Sequence, residues 1–200
     1  MTVNLGGLPG DCRGMAGGAG GRRVDRVGRD ALLVVRAQLG DRRSLAELVG
    51  HWHEPVWRYV RRMLERPSLA DDVSQEVWAA ALKALPALKQ PQRFAPWLFT
   101  IARRSVMDHL RDKYSRADPF DGDPAGDDEV AAVLDRAQVA EGLAGLPACE
   151  REVLILFYLH DLALEECAQV LAIPVGTVKS RLFRARRLLR DHLVEKGYSG

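Results

Sequence analysis

Residues 164–189, LEECAQVLAIPVGTVKSRLFRARRLL, read as two helices joined by a tight turn, the second of them densely basic. From Lys179 to Arg190 the chain carries six cationic residues and no acidic one: Lys179, Arg181, Arg184, Arg186, Arg187 and Arg190. A short helix, a turn and a cationic helix form the usual device for entering a major groove. In that reading residues 164–171 form the bracing helix and 172–175 the turn. Thr177 caps or opens the second helix, where its hydroxyl and the neighbouring N–H groups can meet a phosphate. Val178, Leu182, Ala185 and Leu189 keep one face inward. Thr177, Lys179, Ser180, Arg181, Arg184 and Arg187 are therefore the candidate DNA contacts. Arg bonds guanine bidentately, which reads sequence, while Lys and Arg on phosphates supply salt-dependent affinity. Two alternatives stand beside this: a basic helix also docks acidic proteins, and a cationic surface can merely keep a protein in solution.

The rest of the chain sets bounds. With 200 residues, 47% hydrophobic and 28% charged, it suits a globular protein of one or two domains. A net charge of +2 does not by itself suggest nucleic acid; the separation of acidic and basic residues into blocks does. Cys12, Cys149 and Cys167 are odd in number and form no CxxC pair, so reduced thiols are expected rather than a disulfide framework or a zinc site. The apolar run 153–159, VLILFYL, is too short to span a bilayer and reads as core. Residues 1–27 are Gly-rich and read as a disordered tail; an Asp stands where a signal peptide needs apolar residues. A cytoplasmic protein without direct membrane insertion is expected. No enzyme site, cofactor or metal is indicated: His51 and His53 flank Trp52 without a carboxylate or Cys cluster, and residues 17–21 are low-complexity glycine rather than a phosphate loop.

The periodicity predicts an all-α protein: two small helical domains joined by a flexible acidic linker, the second containing the helix-turn-helix. The first spans 28–114, the linker 115–135 and the second 136–196. A short helix at 30–39 precedes one capped by Asp41, with Leu45, Leu48, Val49, Trp52, Val56, Val60 and Leu64 at helical spacing and Pro55 expected to kink or break it. Ser68 should cap a third helix, with Asp71 and Asp72 in its first turn, where the helix dipole favours carboxylates. Pro96 opens a fourth, carrying Trp97, Leu98, Ile101, Val106 and Leu110. Residues 117–129, ADPFDGDPAGDDE, hold six acidic residues and no basic one. Helices resume at 130–143, 147–159, 164–171 and 176–194.

A resemblance now becomes specific. Residues 146–186, LPACEREVLILFYLHDLALEECAQVLAIPVGTVKSRLFRAR, resemble the C-terminal region of bacterial sigma factors of the extracytoplasmic-function type, with 174–186 matching nearly position for position. The resemblance implies that this region binds the −35 promoter element. Regulators of response-regulator type share the GTVKS-like look, so the first domain has to decide. There, 70–78, ADDVSQEVW, resembles the sigma segment that grips the clamp helices of the largest subunit of core RNA polymerase. Asp72, Gln75 and Glu76 lie three and four apart on one face, and with Asp71 they are the implied polymerase contacts; capping plus an ordinary solvated face is the competing account. Residues 94–113, FAPWLFTIARRSVMDHLRDK, resemble the segment that melts and reads the −10 element. Strand opening needs a cationic surface beside a pocket or stacking platform. Lys89, Arg93, Arg103, Arg104, Arg111 and Lys113 supply charge, and Phe99, taken as partly exposed, is the stacking candidate. Asp108 is placed to orient Arg104 or Arg111.

The sequence departs from the family at Ala172, where a turn Gly is usual, at Cys167, where Ile is common, and at Arg104, where Asn is expected. The resemblance further implies an acidic linker threading a basic polymerase channel and an anti-sigma factor, often membrane-anchored, that holds the protein inactive. The remaining alternative is a two-domain regulator whose N-terminal part senses a ligand or dimerises, without binding core polymerase as sigma does.

Overall fold

The computed structural model describes residues 16–64, 66–115 and 142–195, and the described elements are helical. In chain order they are α1 (Ala16–Gln38), α2 (Arg42–Met63), α3 (Ala70–Ala84), α4 (Phe94–Ser115), α5 (Ala148–Leu154), α6 (Leu164–Leu171) and α7 (Val175–Glu195). The acidic linker lies outside the described residues.

The first helix differs from expectation. The sequence suggested a disordered tail to residue 27, yet α1 already begins at Ala16. Composition disfavours a helix through the glycine-rich residues 17–21, but from Arg23 onward tertiary ties hold the segment. Arg23 Nη1 pairs with Glu166 at 3.3 Å, the Arg26 guanidinium lies 5.4 Å from the Trp52 ring centroid, and Leu33 and Val34 are buried.

Asp41 caps α2 as expected: its carboxylate accepts from the Arg43 N–H at 2.9 Å and from the Ser44 hydroxyl at 2.7 Å. Those bonds, the Ser44 one foremost, hold its carboxyl below the usual carboxylate range. The helix then runs through Pro55 without a break and buries one stripe, Leu48, Trp52, Val56, Tyr59, Val60 and Met63. Ser68 does not cap α3. It sits in a 3-10 turn, Pro67–Leu69, and the cap position falls to Leu69, which makes no side-chain cap bond.

In α4 the buried stripe is Phe94, Ala95, Leu98, Phe99, Ala102 and Val106. Phe99 is wholly buried, 5.9 Å from Trp52 and 5.4 Å from Tyr59 in edge-on geometry. The expected stacking role therefore fails: the inward face is rotated by about one residue from the Trp97–Ile101 phasing, and both of those side chains are only half-buried.

The second domain packs α5 and α6 on α7 around Val153, Ile155, Leu156, Val170, Val178, Leu182 and Ala185. Pro147 stands at the N-cap of α5 rather than inside its first turn. The apolar run continues as a π-turn, Ile155–Leu159, closed by the His160 N–H bonding the Ile155 carbonyl at 3.1 Å. Cys167 is buried, and burial pushes its thiol up to about 12. The two domains also touch: α4 packs on α6, and α2 on α5.

Candidate nucleic-acid interface

The helix-turn-helix is built locally. Glu166 reaches back from the first turn of α6 to accept the Ala163 N–H at 2.7 Å, half of a capping box. Ala172 ends α6 in the left-handed region, φ 55° and ψ 44°, and its N–H caps carbonyls of the last turn. That reversal launches α7 at Val175, one turn after α6.

Along α7, Val178, Leu182 and Ala185 are buried, and Lys179, Ser180, Arg184 and Arg187 are exposed, with Arg181 half-buried. The expected outer face is therefore brought together on one helix. Thr177 does not cap it: the helix starts two residues earlier, and the Thr177 N–H bonds the Pro174 carbonyl at 2.9 Å. Phe183, 63% exposed, stands in the middle of this cationic face and was missed in the sequence, because an apolar side chain there reads as core.

In the first domain, Lys89 and Arg93 are exposed at the turn before α4, and Arg104 and Arg111 are exposed along it. Asp108 lies 3.9 Å from Arg104 and 3.2 Å from Arg111, so it serves both arginines. Arg103 is placed differently: it is half-buried, and its Nε lies 3.1 Å from Glu152 of α5, an ion pair between the two domains. The side chain of Lys113 lies outside the described residues.

The four α3 candidates, Asp71, Asp72, Gln75 and Glu76, are all exposed. Behind them Val73, Ser74 and Val77 face the core, so helical period alone presents this acid–amide face. Asp71 is fixed by the Trp57 indole N–H at 2.7 Å, while Asp72, Gln75 and Glu76 project from the same helix.

Comparison with known proteins settles which helix-turn-helix family this is. Residues 48–116 match the Sigma-70 region 2 family and residues 136–189 match Sigma-70, region 4. The probable RNA polymerase sigma-C factor of Mycobacterium bovis is 33% identical, over 78% of this chain and 87% of the relative. The chain belongs to the extracytoplasmic-function sigma factors of the sigma-70 family. The ECF RNA polymerase sigma factor SigL of Mycobacterium tuberculosis is 37% identical over 71% of this sigma factor and 84% of its own length. Among solved structures, CnrH in complex with the cytosolic domain of CnrY covers 84% of this chain and 98% of that one, at 27% identity and a TM-score of 0.65. The protein is thus an alternative sigma factor directing transcription initiation, and the match of its first domain removes the regulator alternative. Among the described residues no group of side chains could hold a metal ion, and no helix is long and apolar enough to cross a membrane.

Proposed function

We propose that this sigma factor, in the cytoplasm, docks on the clamp helices of the largest polymerase subunit through Asp72, Gln75 and Glu76, with Asp71 as a buttressed neighbour. The observation that carries the reading is the exposed acid–amide face of α3 on a domain of region 2 type. Two carboxylates and an amide at helical spacing offer charge-assisted bonds to Arg and Lys of a partner helix pair. In the same reading α7 lies in the major groove of the −35 element. Lys179, Arg181, Arg184 and Arg187 meet phosphates and base edges there, and Phe183 offers an apolar contact to a thymine methyl. Lys89, Arg93, Arg104 and Arg111 line the path of the −10 strand. An anti-sigma factor, membrane-anchored or free, is the expected regulator.

The test is the double reversal Asp72→Arg with Glu76→Arg. It should abolish co-elution with core polymerase and run-off transcription from a mapped promoter while the protein stays helical by circular dichroism; both side chains are exposed, and Arg in the first turn of α3 lowers the thermal midpoint only modestly by opposing the helix dipole. Undiminished co-elution would refute the docking face.

A further inference from the structure

A second group of cations belongs to α1 and α2 rather than to α7 or α4, and it is organised by one stripe of α2. His51, Pro55, Arg58 and Arg62 recur at intervals of four, three and four, so they line one face of that helix. At its start the face borders an open cavity of about 180 Å³ between α1, α2 and the π-turn. Trp52, Pro55 and Leu159 make the cavity's apolar lining, and Arg26, Asp30 and His51 add polar groups. Pro55 has no N–H, so the His51 carbonyl lacks its helical partner between two residues that both line the cavity. A cavity of roughly 150 Å³ takes benzene, so this one has room for a planar ring. Asp30 and the His51 carbonyl offer acceptors to N–H groups on such a ring.

Beyond the cavity the stripe continues as a rail of arginine. Arg58 and Arg62 stand about 4.5 and 10.5 Å along the helix axis from Pro55. Both act on His160, which also lines the cavity, so rail and cavity share a wall. Glu54 engages only Nε of Arg58, at 2.6 Å. Arg62 is half-buried, donates to the Arg58 carbonyl at 3.5 Å and has no carboxylate within ion-pair distance among the described residues. Burial, and after it the neighbouring Arg58 and Arg61, work against its charge. A half-buried cation crowded by others and short of a counter-ion is well placed to gain from a phosphate. A polynucleotide backbone has no use for the cavity, and an aromatic acid small enough to fill it does not reach the rail. The pairing of the two selects a ring and a phosphate held apart by a sugar.

We propose that this face of α2 binds a nucleoside phosphate, its ring seated in the cavity against Trp52, Pro55 and Leu159 and its phosphate on Arg58 and Arg62. None of these residues carries a polymerase or DNA assignment, so the site stands apart from both. A molecule bound there touches α1, α2 and the π-turn together, and its concentration sets part of the stability of the free protein.

The experiment titrates the full chain with UMP, AMP, uridine and inorganic phosphate, read by the melting midpoint and by amide shifts in NMR. At least one nucleotide should raise the midpoint, shift amides of α1, α2 and the π-turn, and bind about tenfold more tightly than uridine or inorganic phosphate. Arg62→Gln should weaken that nucleotide about tenfold, the range expected for losing a hydrogen bond to a charged group. Leu159→Trp, at an exposed position on the rim, should block the nucleotide and leave inorganic phosphate unaffected. Silence with both nucleotides at millimolar concentration, or amide shifts confined to α7, would overturn the site. Inorganic phosphate binding as tightly as the nucleotides would overturn the role of the cavity, and uridine doing so would overturn that of the rail. Should a variant lose helix content by circular dichroism, the comparison of the four probes on the wild-type chain decides alone.

Discussion

Ala172 holds φ 55° at the turn of the helix-turn-helix, a conformation in which a Cβ crowds the following carbonyl oxygen. Its side chain is exposed, so nothing in the packing offsets that strain. Ala172→Gly should therefore stabilise the second domain by about 0.5–1 kcal/mol, the strain relieved less the extra chain entropy of Gly. A thermal or urea melt checks it; a loss of stability would mean that the strain is absorbed elsewhere. The turn itself was legible in the sequence, since IPVGT punctuates two periodic segments. The left-handed residue gives no local signal as an Ala; only the turn Gly usual at that position in the family pointed to it. The hydrogen bond from Tyr59 to Glu152 was illegible for another reason: the two lie 93 residues apart, and no local pattern announces such a pair.

At the scale of elements, the long amphipathic helices were the most readable. α2 and α6 fall where period and capping place them, and α7 starts one residue earlier than expected, because each helix buries a continuous stripe. α4 was readable as a helix but not in its phase. Apolar residues from Phe94 to Ile101 are so dense that two faces compete, and tertiary packing chooses the one containing Phe99. Phe99→Ala should cost about 3–5 kcal/mol in chemical denaturation, the usual penalty for truncating a buried aromatic. A cost below about 1 kcal/mol would indicate a side chain free to stack on bases, as the sequence had suggested. The beginning of α1 at Ala16 was illegible because its fixed points, Glu166 and the carbonyls of His160 and Asp161, belong to the far end of the chain.

For the whole molecule, the contact between the domains is sensitive to acid. His160 is buried against Tyr59 and Phe99, with Arg62, Arg26 and Arg58 facing it; burial first, then those cations, lowers its pKa from 6.5 to about 3. The folded form thus binds a proton less readily than the unfolded one. The stability from neutral His160 is complete above about 6.5 and drains away as the pH falls toward about 3. Glu152 acts with the opposite sign: burial raises its pKa above 4.5, so its contribution weakens as the pH rises out of the carboxylate range. The histidine has the larger shift, and the melting midpoint should fall on acidification below about 6.5, with His160→Phe flattening that slope. A wild-type midpoint that does not move between neutral and mildly acidic buffer would refute this.

Glu166 binds the N-terminal amide of α6 and also receives Arg23 of α1, while Arg26 holds the carbonyls at the end of the π-turn. A protein begun at Val27 would keep every residue matched to regions 2 and 4 and forfeit both ties. Packing of α4 on α6 and of α2 on α5 still joins the halves, so such a protein should keep one rotational correlation time in NMR relaxation while the amides of α6 lose hydrogen-exchange protection; two separate times would show that α1 alone holds the halves together.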